Sequence, residues 1–158
     1  MADNTADSPS YRKALIESLQ KERGTKAIVY VTSHRKGASA QIAGSAVDVF
    51  VDHLDDILDD IGPNGRISLI LQTRGGETPA AWRLVNLIRM FCDELEVITP
   101  HECMSAGTLI ALGADRIVMT KQATLGPIDP SIQHPLSPQI PKATGALRCP
   151  VSVESVNS

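Results

Sequence analysis

The sequence predicts an α/β fold, a mostly parallel sheet built from βα repeats with flanking helices. Three observations point there. Short apolar runs alternate along the chain with segments whose apolar residues recur at helical spacing. Aromatic residues make up only 3% of a chain that is 42% hydrophobic, so Leu, Ile, Val and Ala must fill the core, which suits close helix-on-sheet packing. Two strands run directly into helix starts, one through a glycine pair and one through a serine.

The elements follow in order. Tyr11 to Arg23 places Leu15, Ile16 and Leu19 on one helix face and closes at Gly24. Ala27 to Val31 is a β-branched strand, and residues 32–45 read as a polar loop. Val47 to Ile61 spaces Val47, Phe50, Val51, Leu54, Ile57, Leu58 and Ile61 at helical period, and Gly62-Pro63 ends it. Its acids Asp55, Asp56, Asp59 and Asp60 are expected to form a solvated face, because adjacent acids on a helix diverge by about 100° and do not converge on a metal. Strand Ile67 to Gln72, helix Pro79 to Phe91, strand Leu95 to Thr99, helix Ser105 to Leu112 and strand Arg116 to Met119 complete the alternation. At 158 residues, one domain with one core is expected. The expected organisation is a disordered N-terminus over 1–10, the α/β domain over 11–132 and a Pro-rich C-terminal extension over 133–158.

In a parallel sheet, ligand sites lie at the carboxyl ends of the strands. Ser105 falls at such an end, just where a helix begins. The free N–H groups of a helix start favour an alkoxide or oxyanion, so this placement suits a nucleophile. The competing reading is a serine that only caps its helix. Gly75 and Gly76 fall at the end of Ile67 to Gln72, where the missing Cβ atoms let a substrate carbonyl approach their N–H groups. Against that stands a plain strand-to-helix turn with Thr78 as N-cap and Pro79 at the first helical position. Two such units thirty positions apart favour an oxyanion hole shared between them.

Three stretches carry a family likeness: Gln72-Thr-Arg-Gly-Gly-Glu77, Met104 to Met119 and Ala123 to Pro130. In this order and separation they resemble the Clp protease and crotonase superfamily, most of all the branch of signal-peptide peptidase A and the serine dehydrogenase proteinases. The likeness covers roughly residues 25–132 and implies a ClpP/crotonase-like fold. It also implies a serine peptidase with Ser105 as nucleophile and with Gly75 or Gly76 and Ala106 as oxyanion donors. The Clp histidine has no counterpart at Pro127-Ile-Asp129. The lysine used by signal-peptide peptidases points instead to Lys142, in Gln139-Ile-Pro-Lys-Ala-Thr144, with Lys121, His101 and His134 as weaker candidates for the base. A lysine serves as base when burial holds it neutral.

The chain is short for this family, so either it is truncated or oligomerisation supplies the remainder. The likeness further implies a homo-oligomer acting on a peptide or protein substrate. Helix Pro79 to Phe91, apolar around more than one face, is the expected subunit contact. Two alternatives stay open: a crotonase-like acyl-CoA enzyme, and an inactive assembly or scaffold member of the fold.

The net charge of −3 gives no electrostatic case for nucleic acid. Cys92, Cys103 and Cys149 form no spaced metal set, so neither metal nor cofactor is expected. Cys103, two residues before Ser105, is expected to pack beneath the turn rather than react. The polar, acidic start of the chain and the lack of a long apolar run predict no membrane span and a cytoplasmic setting.

Overall fold

The structure, a computed structural model, describes residues 8–61 and 65–128 together with the backbone of four short strands beyond them. The first helix, α1, spans Pro9–Arg23. Ser8 caps it, its side chain accepting from the Tyr11 N–H, and Gly24 closes it in the left-handed conformation with its N–H on the Gln20 carbonyl. Strand β1 (Lys26–Val31) follows, then a hairpin of β2 (His34–Arg35) and β3 (Ala38–Ser39), helix α2 (Ser45–Ile61) and strand β4 (Arg66–Gln72). Helix α3 (Thr78–Met90), strands β5 (Glu94–Thr99) and β6 (Glu102–Cys103), helix α4 (Ala106–Leu112), and strands β7 (Arg116–Met119) and β8 (Thr124–Leu125) complete the body. Farther along, β9 (Ser131–Ile132) pairs antiparallel with β12 (Val151–Ser152), and β10 (Gln139–Lys142) with β11 (Gly145–Arg148).

The main sheet runs in the order β1-β4-β5-β7, every pairing parallel, as the strand and helix alternation predicts. Side chains alternate between its faces. Ile67, Leu69 and Leu71 of β4 and Leu95 and Val97 of β5 are fully buried, in one core with Phe50 and Leu54 of α2 and Leu84 and Ile88 of α3. Phe50 meets Tyr30 edge-on, ring centroids 5.2 Å apart, adding a directional contact to a core poor in aromatics.

The opposite face is more polar. Ser68 and Glu96, paired across β4 and β5, are buried there, and the Ser68 hydroxyl donates to Glu96. Arg23, in the last turn of α1, grips the Glu96 carboxylate with two donors. No residue of α1 is buried, and Leu15 is 53% exposed. The periodicity of α1 suggests a helix seated by apolar burial, whereas an ion pair at its C-terminal end ties it to the sheet.

Residues 32–45 differ from the polar loop expected of them. They hold the β2-β3 hairpin, and Ile42 is completely buried. Asp55, Asp56, Asp59 and Asp60 of α2 are exposed, as their spacing predicts. No helix among the described residues is long and apolar enough to cross a membrane.

Candidate functional site

The carboxyl edge of the sheet collects the residues that matter. Beyond β4 the chain stays extended through Thr73, which forms a parallel bridge with Cys103: the Thr73 N–H donates to the Glu102 carbonyl (2.9 Å) and the Met104 N–H to the Thr73 carbonyl (3.0 Å). These bonds bring the glycine pair and the start of α4 side by side. A Cβ on Gly75 would lie 2.8 Å from Ser105 Cβ and 3.3 Å from its Oγ, so only glycine leaves that approach open.

Ser105 occupies the N-cap position of α4 with φ 52° and ψ −119°, the one described non-glycine residue with positive φ. Its side chain makes no capping hydrogen bond. A serine that merely caps takes extended backbone angles and gives its oxygen to the helix N–H groups. Ser105 does neither. Such strain costs on the order of 1–3 kcal/mol and survives where the surroundings enforce it.

Several amides and carbonyls around the turn are occupied. The Gly75 N–H donates to Thr73 Oγ1 (3.0 Å), and the Gly75 carbonyl accepts from the Ile42 N–H (2.9 Å). The Ile42 carbonyl accepts from the Glu77 N–H (2.8 Å), and the Gly107 N–H reaches the Met104 carbonyl (2.9 Å). The N–H groups of Gly76, Ser105 and Ala106 have no partner among the described residues. Of the two glycines expected to donate, Gly76 is therefore the one whose amide is available. Gly76 has φ 151° and lies against Ile42, a Cβ there meeting the Ile42 carbonyl oxygen at 2.2 Å. The N-cap of α3 is Glu77 rather than Thr78, with Pro79 in the first turn and no side-chain capping bond.

The third stretch joins the same corner. The Thr108 hydroxyl bridges the Cys103 and Gly126 carbonyls at 2.8 Å each, and Met104 lies where a Gly126 side chain would stand. Cys103 is buried, and desolvation raises its thiol to about 11. It stays protonated at neutral pH and packs under the turn, as expected.

At the rim, Arg74 pairs with Glu102 (3.0 Å) and holds that carboxyl below its ordinary range. His101 is exposed, its carbonyl taken by the Thr124 N–H. Lys121 stands exposed in the turn after β7. Lys142 falls on the backbone of β10, opposite Gly145, while its side chain and His134 lie outside the described residues. No group of three or more His, Cys, Asp or Glu among the described residues converges to hold a metal.

Ile42, Thr73 and Thr32 were not singled out from sequence. Only Ile42 carried a signal, as an isolated branched apolar residue inside a polar stretch. The two threonines act through contacts between segments distant in sequence.

A parallel sheet whose carboxyl edge joins a strained helix-start serine to a glycine pair defines a ClpP-like α/β domain. The chain matches the ClpP-like SDH-type serine proteinases over residues 5–147 and belongs to that family. It is 46% identical over 77 residues to the uncharacterized protein MJ0137 of Methanocaldococcus jannaschii, covering 49% of this chain and 27% of that protein. To MJ1495 of the same organism it is 35% identical over 130 residues, covering 78% of this chain and 44% of the other. The chain thus spans less than half the length of either relative. Among solved structures, it resembles a lysine-to-alanine mutant of the 1510-N membrane-bound stomatin-specific protease in complex with a substrate peptide. The TM-score there is 0.54 at 25% identity, covering 84% of this chain and 55% of that one. A serine-to-alanine mutant of the same protease shares the fold at a TM-score of 0.50 and 24% identity, covering 80% and 56%.

Proposed function

We propose that this chain forms the nucleophile-bearing part of a serine peptidase, with Ser105 as nucleophile and the Gly76 and Ala106 amides as the oxyanion hole. One observation carries the reading: a strained serine whose hydroxyl caps nothing sits at the same turn as the Gly76 and Ala106 N–H groups, which have no partner among the described residues.

In this mechanism Ser105 Oγ attacks the carbonyl carbon of a peptide bond as a base takes the hydroxyl proton. The carbonyl oxygen becomes an oxyanion and accepts from the two N–H groups, whose partial charge the start of α4 reinforces. Collapse breaks the C–N bond, the leaving amine takes the proton from the base, and water then hydrolyses the acyl-serine by the same route. The base is a lysine, Lys142 ahead of Lys121. The peptide complex of the stomatin-specific protease is of a lysine-to-alanine mutant, which favours this choice. Crotonase-like acyl-CoA chemistry is disfavoured, because Arg74, the arginine next to the glycine pair, is committed to Glu102. The substrate is a peptide. The enzyme works as a homo-oligomer, for which Trp82 and Met90 on α3, 60% and 82% exposed, offer apolar contacts.

A fluorophosphonate probe tests the proposal. Labelling at Ser105 that vanishes in Ser105→Ala and falls sharply in Lys142→Ala but not in Lys121→Ala is the expected result. A folded protein that stays unlabelled at alkaline pH overturns the nucleophile, and equal labelling of Lys142→Ala and wild type overturns that base.

A further inference from the structure

We propose that Thr73 is a positioning residue, setting the Gly76 and Ala106 amides in register with one another, and that Thr32 locks its hydroxyl. This rests on the reading of the oxyanion hole just given.

Thr73 is 1% exposed, and its hydroxyl is fully used. It accepts from the Thr32 hydroxyl (2.7 Å) and from the Gly75 N–H (3.0 Å), while its own proton faces the Gly75 carbonyl at 3.4 Å. A hydroxyl has one proton and two lone pairs, so none of its capacity is left over and the rotor is fixed. The bond to the Gly75 N–H does two things. It removes that amide from competition for a substrate oxygen, and it fixes the peptide plane immediately before the one that carries the Gly76 N–H.

The other branch of the same side chain reaches α4. A Cβ on Gly107 would lie 2.3 Å from Thr73 Cγ2, so the methyl is seated directly on the residue after Ala106. The Thr73 backbone meanwhile holds the Glu102 carbonyl and the Met104 N–H on either side of Cys103. One residue therefore touches both segments that carry the proposed donors. Oxyanion stabilisation depends on donors already aimed at the transition-state oxygen, and a fixed hydroxyl between the two strand ends supplies that preorganisation.

The substitutions separate aim from packing. Thr73→Val keeps the methyl on Gly107 and removes the hydroxyl. Thr73→Ser keeps the hydroxyl and removes the methyl. In Thr73→Val, kcat on a peptide substrate and the fluorophosphonate rate at Ser105 should fall about tenfold or more, with KM within about twofold of wild type. Thr73→Ser should retain both rates within about threefold while its Tm falls. Thr32→Val should shift both rates in the direction of Thr73→Val by a smaller factor, and it replaces Thr73→Val as the deciding variant if the latter does not fold.

Wild-type rates in folded Thr73→Val, or in Thr32→Val where that variant decides, overturn the proposal. So does a Thr73→Ser enzyme as slow as Thr73→Val, since packing alone then accounts for the loss. If wild-type protein does not label, the nucleophile reading fails by itself, and amide hydrogen exchange at Gly75 decides the loop. Protection in wild type and Thr73→Ser that is lost in Thr73→Val sustains the positioning role, and equal exchange in all three rejects it.

Discussion

Gly75 and Ser105 stand in contact across the site: a Cβ added to the glycine would lie 2.8 Å from the serine Cβ and 3.0 Å from the Met104 carbonyl oxygen. The φ of 109° at Gly75 is one that side-chain-bearing residues rarely adopt. The absence of a side chain at Gly75 thus lets the glycine bend and the serine turn pack this closely. Gly75→Ala should leave the helix content intact and slow fluorophosphonate labelling of Ser105 on the order of a hundredfold. Labelling within about twofold of wild type would show that the contact does not matter to the site.

Gly76 should behave differently from other glycines of positive φ. Its added Cβ would meet the Ile42 carbonyl oxygen at 2.2 Å and the Ile42 nitrogen at 2.5 Å, backbone atoms that cannot rotate away. Gly37 also has positive φ, 82°, but a Cβ there meets nothing within 4 Å. Gly37→Ala should cost on the order of 1 kcal/mol from backbone strain alone, and Gly76→Ala on the order of 3 kcal/mol or more by thermal or urea unfolding. Equal costs would mean that the clash is relieved by a shift of the Ile42 segment.

This pair also marks what was legible in the sequence. Periodicity located the strands and helices of the main sheet because each repeat is local: β4, α3, β5 and α4 can be read from runs of 13 residues or fewer. The placement of Ser105 and the glycine pair at strand ends followed from the same alternation. The partners of those residues did not. Ile42 lies more than thirty positions before Gly76 and reaches it through a two-residue parallel bridge, too short to leave a periodic trace. Thr32 and Thr73, forty-one positions apart, join by a single hydrogen bond. The two-residue strands β6 and β8 were missed for the same reason. On α1, the apolar spacing was real but overstated burial, because periodicity cannot register Arg23 reaching Glu96. Which of the two glycine amides is free depends on the Thr73 hydroxyl, and no pattern of residue types announces that.

The Arg23 and Glu96 pair gives α1 a pH-dependent hold on the sheet. Chiefly through its hydrogen bonds with Arg23, the carboxyl of Glu96 is kept below its ordinary range, against the opposing effect of burial. A carboxylate with a depressed folded pKa adds stability above its unfolded pKa and loses it as pH falls through the folded value. Arg23→Ala leaves a carboxylate that is 2% exposed without its cation, which should lower stability at pH 7 by on the order of 3 kcal/mol. Acidification protonates the stranded carboxyl, so the gap in Tm between variant and wild type should narrow toward pH 4. A gap that stays constant or widens would place the effect in packing rather than charge.

In the proposed peptidase, Ser105 Oγ rather than Cys103 Sγ is the attacking atom. Cys103 lies two residues from Ser105 and sulfur is the stronger nucleophile, so a thiol mechanism must be set against the hydroxyl. Three features oppose it. The side chain is completely buried, its thiol is pushed up to about 11 by desolvation, and its sulfur faces Gly107 beneath the turn, 3.1 Å from where a Cβ would lie. Attack by this sulfur would need both an opening of the turn and deprotonation far above neutral pH. Iodoacetamide at pH 8 should therefore leave native Cys103 unmodified over hours, as read by peptide mass spectrometry, and modify it promptly in urea. Cys103→Ala should retain fluorophosphonate labelling at Ser105 while losing on the order of 1–2 kcal/mol of stability to the cavity it leaves. Rapid native alkylation accompanied by loss of peptidase activity, with Ser105→Ala still active, would transfer the nucleophile from oxygen to sulfur.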